Sequence, residues 1–89
     1  GMIYYVYYDS YGNPRQAVSA DELRERYGND PEAFRASLRG RAPTTEHMTA
    51  HVGTVSFSDE KELREFMSDM DEANRGFFEG EAQSRPFNF

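Results

Sequence analysis

The most strongly patterned segment stands near the start of the chain. Ile3-Tyr4-Tyr5-Val6-Tyr7-Tyr8 is an unbroken run of β-branched and aromatic residues, the types that fit a pleated sheet surface. Successive side chains of a strand face opposite sides. Ile3, Tyr5 and Tyr7 therefore line one face, and Tyr4, Val6 and Tyr8 the other. A strand covered on one side only alternates with polar residues. This one does not, so it reads as central, or as covered on its second face by something else. Asp9-Ser10-Tyr11-Gly12-Asn13-Pro14 is a turn cluster, because Gly12 tolerates positive φ and Pro14 holds Asn13 out of the helical region. Arg15–Val18 then returns as the short second strand of a hairpin.

Three helices follow from capping signals and apolar spacing. Ser19 is an N-cap with Asp21 and Glu22 in the first turn, and Ser19 and Glu22 have capping-box spacing. This helix, Ala20–Tyr27, sets Leu23 and Tyr27 on one face and ends at Gly28. A second helix starts at once, capped by Asp30 with Pro31 in first position. Phe34 and Leu38 face inward, and Gly40 is the expected stop. A polar loop, Arg41–Thr49, leads to a strand from about Ala50 to Phe57, in which Gly53 marks a bulge or a close backbone approach. Ser58 is the expected cap of the third helix. There Leu63, Phe66, Met67, Met70 and Phe77 keep helical spacing opposite a face of Glu62, Arg64, Glu65, Asp69, Asp71 and Glu72, and Gly76 is its expected stop. Residues 77–89 show no period but hold Phe77, Phe78, Phe87 and Phe89. This tail is expected to pack on the body or on a neighbouring chain, because rings left in water forfeit about 1.5–3 kcal/mol each.

The pattern predicts one α+β domain over 2–89, in the order β-(β)-α-α-β-α: a small, mainly antiparallel sheet of two to three strands with three helices on one face. Gly1 precedes Met2 and is read as a remnant of tag removal. The core leans on seven Phe and six Tyr, with no Trp.

Charge narrows the partners. The net charge is −6. Residues 1–57 carry seven acids against six arginines, and residues 58–89 carry nine acids against four bases. Phosphate backbones and anionic lipid attract clustered cations, so neither nucleic acid nor a membrane is expected as partner. The absence of Cys excludes disulfides and sulfur-ligated zinc. No run reaches the roughly 18 apolar residues of a membrane span, and no signal peptide is evident, so a cytoplasmic location is expected. Nine of the ten basic residues are Arg, a skew suited to a GC-rich bacterial or phage genome.

The candidate chemistry is thin. His47 and His51 are four apart, but Glu46 precedes the first His, whereas the zinc-protease pattern has Glu after it. On an extended segment the two imidazoles stand roughly 13 Å apart, too far to chelate one ion. Asp59-Glu60 and Asp69–Glu72 offer paired carboxylates, yet on a solvated helix face that implies no cleft. There is no Gly-x-Ser-x-Gly elbow and no glycine-rich phosphate loop. Catalytic, metal and cofactor sites are accordingly expected to be none. Arg35, Arg39 and Arg41 cluster near the end of the second helix. There they complement its dipole or contact an anion or acidic partner.

The surplus is aromatic. Tyr4, Tyr5, Tyr7, Tyr8 and Tyr11 put five rings in eight residues, more than a single helical layer can cover. Tyr is enriched at interfaces. These tyrosines, with Phe87 and Phe89, are the expected interface, and a homodimer is the expected way of covering them. The sequence therefore suggests a non-catalytic interaction module, a small bacterial or phage accessory protein that binds another protein or itself. The alternatives are an acidic inhibitor that mimics nucleic acid with the carboxylates of the third helix, and an enzyme with a site around His47, His51 and Tyr11.

Overall fold

The computed structural model describes residues 1–38 and 50–84, with side chains through Arg75. Strand β1 (Met2–Tyr8) lies between β2 (Pro14–Ser19) and β3 (His51–Phe57), antiparallel to both. Helices α1 (Ala20–Tyr27) and α2 (Pro31–Ser37) follow β2, and α3 (Glu60–Ser84) follows β3. The all-apolar run is thus the central strand, and the class is the expected small α+β fold.

The layering differs from the expected single-faced one. Tyr7 and Val18 pack with Leu23 of α1, Phe34 of α2, Leu38 and Ala50, and Tyr5, Tyr27 and Val52 join them at the margin. On the opposite face Val6 and Ala17 pack with Met70 of α3, joined by Tyr4, Tyr8, Val55, Phe66 and Met67. Helices therefore cover both faces of the sheet. The reason lies in β1: with apolar residues at both parities, a single helical layer would leave one row of rings in water. Two layers bury Val6 and Tyr7 to 0% and 1% exposure. Phe57 extends the second cluster, meeting Tyr4 edge-on at 5.7 Å and Phe66 at 5.2 Å between ring centroids.

The local signals act largely as read. The Ser19 hydroxyl accepts from the Glu22 amide, and Gly28 closes α1 in the left-handed region at φ 64°. Asp30 accepts from the Glu32 amide ahead of α2. That helix ends at Ser37, whose hydroxyl donates to the Phe34 carbonyl, and Leu38 is buried beyond it. Gly40, the expected stop, lies outside the described residues. Gly53 marks neither a bulge nor a close backbone approach: β3 pairs with β1 in unbroken register there, and a Cβ would make only an ordinary 3.4 Å contact with the Tyr8 ring. The sheet's irregularity sits instead in the β1–β2 ladder, between Tyr7 and Tyr8.

Helix α3 departs from expectation at both ends. Its cap is Asp59 rather than Ser58: the Asp59 carboxylate accepts from the Glu62 amide, and the Glu62 carboxylate accepts from the Ser58 amide. It also runs through Gly76, the expected stop, to Ser84, so residues 77–84 belong to the helix rather than to an irregular tail. One glycine costs a helix only about 1 kcal/mol. The first strong terminator is Pro86, which disfavours helix at Arg85. No described helix is long and apolar enough to cross a membrane.

Phe34 joins α2 to the sheet at 1% exposure. Phe34→Ala should lower stability by about 3–5 kcal/mol, enough to unfold much of a domain this small at 37 °C. Tyr11→Ala, at 81% exposure, should leave the thermal midpoint within a degree of wild type.

Candidate interaction surface

The hairpin turn is built on one carboxylate. Asp9 is 1% exposed. Its Oδ1 accepts from the Tyr11 and Asn13 amides, both at 2.9 Å, and its Oδ2 accepts from Arg15 Nε at 2.8 Å. Arg15 can reach it because of the irregularity in the ladder: Gln16 opposes Tyr7 and Pro14 opposes Tyr8, so Arg15 is the extra residue between them. The same guanidinium donates to Asn74 Oδ1 at 3.0 Å and to the Ala73 carbonyl at 3.5 Å. Asn74 Nδ2 donates back to the Arg15 carbonyl at 2.7 Å. The turn and α3 are joined by this exchange. Burial alone would push the Asp9 carboxyl up. The hydrogen bonds from Asn13, Arg15 and Tyr11 and the charge of Arg15 outweigh it, and hold the carboxyl below its ordinary value of 3.8.

Tyr7 is buried, and Tyr4, Tyr5 and Tyr8 are half-buried beneath the two helical layers. The reasoning that one face of β1 stays bare therefore fails: the rings are shared between two cores. Tyr11 is different. It projects from the ordered turn, and Ile3 at 50% is the other large apolar side chain most open to solvent among the described residues. Tyr8 stacks on His51 at 5.1 Å between centroids, with ring planes 20° apart.

The remaining candidates are scattered or engaged. His51 and Arg35 border one open depression, together with Asp30, Pro31 and Val52. Arg35 is held there by Glu32, with Nε–O distances of 2.9 and 3.0 Å, and this bonding raises its affinity for its proton. Its charge is thus already answered within α2. Arg39, Arg41, His47, Phe87 and Phe89 lie outside the described residues. Among the described residues no three His, Asp or Glu side chains gather as metal ligands would. The acids of α3 are partly answered by neighbours on the same helix, Glu60 by Arg64 and Glu72 by Arg75.

Two features escape a reading by motif. One is the Asp9–Arg15–Asn74 network, whose only sequence signal is an Asp opening a turn. The other is the contrast between the two sheet edges. Edge strand β2 begins Pro14-Arg15-Gln16, and Pro and charge are the usual guards of an edge. Edge strand β3, His51-Val52-Gly53-Thr54-Val55-Ser56-Phe57, has neither Pro nor an acidic, Lys or Arg residue. Thr54 and Ser56 are exposed, and among the described residues nothing pairs with its outer side. No protein-family model matches the chain, nor does any curated protein or solved structure.

The Asp9 site predicts a pH dependence with a definite sign. A carboxyl depressed in the folded state contributes fully above its unfolded value, here near 3.8, and the contribution fades as pH falls toward the lower folded value. Asp9→Asn should cost about 3 kcal/mol at pH 7. Measured by urea midpoints, the gap between wild type and variant should shrink from pH 4 downward. A gap that stays constant to pH 2.5 would refute this role.

Proposed function

We propose that the protein is a non-catalytic interaction module that binds another protein by strand addition. The observation that carries this reading is the outer edge of β3, seven residues long and unguarded by charge, proline or a neighbouring described strand. A bare edge presents a row of backbone N–H and C=O groups, and a partner strand satisfies them directly. Affinity then comes from main-chain bonds, and specificity from the alternate side chains Val52, Thr54 and Ser56 on one face. Two further features agree with binding rather than catalysis. The best-placed acid–base groups are engaged in structural pairs: Asp9 with Arg15 and Arg35 with Glu32. The depressions that stand out among the described residues are open to solvent, whereas catalytic pockets enclose their ligands.

Strand addition can be distinguished from binding through the acidic face of α3. A photo-reactive residue is placed at Ser56 in one variant and at Asp69 in another, and each is irradiated in cells. The Ser56 variant is expected to give one discrete protein adduct and the Asp69 variant none. Adducts from Asp69 alone would overturn the reading and favour nucleic-acid mimicry. Absence of adducts from both would also overturn it.

A further inference from the structure

We infer that α3 is a detachable cover: it lifts from the sheet as one unit while the three strands, α1 and α2 stay folded, and the Arg15–Asn74 exchange is the latch that holds it down. This inference is independent of strand addition at β3.

The sheet does not need α3 for its own pairing. Its ladders join β1 to β2 and β1 to β3, and α3 enters neither. The apolar support of the two faces is also unequal. On the α1–α2 side the buried members are Tyr7, Val18, Leu23, Phe34, Leu38 and Ala50. On the α3 side they are Val6, Ala17 and Met70. Of the described α3 side chains Met70 alone is buried, and Leu63, Phe66 and Met67 are half-buried. A segment with few buried apolar contacts opens at a lower free energy than the whole fold.

Helix α3 also carries its own support. It is 25 residues long, whereas isolated helices are marginal below about 12–15 residues. Its cap joins Asp59, Glu62 and Ser58, and its ion pairs Glu60–Arg64 and Glu72–Arg75 lie within the helix. Lifting the helix breaks none of these. It does break the hydrogen bonding at Arg15. There Asn74 Oδ1 and the Ala73 carbonyl accept from the guanidinium, and Asn74 Nδ2 donates to the Arg15 carbonyl. Arg15 Nε is bonded to Asp9, within the hairpin itself. When α3 lifts, Arg15 keeps that partner, so the buried carboxylate is not left unpaired, which is the costly outcome for a buried ion pair. Opening bares Tyr4, Val6, Tyr8 and Val55. The strength of one polar exchange therefore governs how often this apolar face meets solvent.

The chain contains no Cys, so a single introduced thiol reports the opening. Ala17 and Val18 are neighbours on β2, buried against α3 and against α1 respectively. At reagent concentrations where the rate is proportional to reagent, the thiol of Ala17→Cys is expected to react about tenfold or more faster than that of Val18→Cys in the folded protein. Its rate should also rise less steeply with urea, because lifting α3 exposes less surface than unfolding does. Met70→Cys probes the same interface from the helix and should behave like Ala17→Cys, which guards against overpacking at position 17. Adding Asn74→Ala to Ala17→Cys should raise the labelling rate about tenfold more, since a hydrogen bond to a charged group is lost. Adding Glu65→Ala, a change on the exposed face of α3, should leave it unchanged. Equal rates and equal urea slopes at positions 17, 18 and 70 would mean that α3 leaves only with global unfolding, and would overturn the cover. A rate with Asn74→Ala no higher than with Glu65→Ala would overturn the latch. Neither result bears on capture by the photo-reactive Ser56 variant, so failure here and failure of strand addition are read separately.

Discussion

The architecture depends on the two apolar faces of β1. A strand with Tyr4, Val6 and Tyr8 on one side and Tyr5 and Tyr7 on the other must lie inside the sheet and must also have cover above and below. Both demands are met by short local elements. The hairpin supplies a neighbour on one side, and β3 supplies one on the other. The compact pair α1–α2 covers one face and α3 the opposite one. With few residues available, each layer is a single helix or helical pair thick. The two edge strands differ in their guards: β2 carries Pro14 and Arg15, and β3 carries neither proline nor a charged Asp, Glu, Lys or Arg.

The polar network at the hairpin complements this apolar division. Apolar burial is non-directional and would by itself permit α3 to slide or rotate over Val6 and Ala17. The Arg15–Asn74 exchange gives the contact a direction, since the Arg15 guanidinium donates to the Asn74 amide oxygen and the Asn74 amide nitrogen donates to the Arg15 backbone carbonyl. Asp9 in turn holds Arg15 and shapes the turn with the same carboxylate. The buried charge is tolerable because each of its oxygens is answered.

Much of the fold was legible in the chain because its signals are local. Ser19, Gly28, Asp30 and Pro31 mark their helix ends by chemistry that acts within a few residues, and the structure places them there. The layering was less legible. The rings of β1 announced two apolar faces, but the capacity of α3 to cover one of them depends on its path relative to the sheet, which no window of sequence reports. Gly76 looked like a stop because glycine commonly ends helices. Its modest penalty is overridden by neighbouring residues that favour helix. The candidate site was legible only in part. Tyr11 stood out as a ring in a turn, whereas the lack of charge and proline along β3 stands out only once Pro14 and Arg15 are seen on the opposite edge strand. The partnership of residues 15 and 74 spans most of the chain and leaves no spacing to detect.

The extra residue at Arg15 also bears on how this chain can vary in length. Across β2, Ala17 lies beneath α3 and Val18 beneath Leu23 of α1. Losing or gaining one residue between Asp9 and Arg15 with the turn kept at its present length would slip the register by one and exchange those two assignments. The larger side chain would then stand against α3, where Ala17 now permits close approach, and a gap would open under Leu23. Changes by two residues would preserve the faces but would remove Arg15 from the reach of Asp9 or Asn74. Relatives of this protein should therefore keep the spacing from this aspartate to the end of β2 constant while their helix surfaces drift. That interval, more than any single side chain, is the expected mark of a relative.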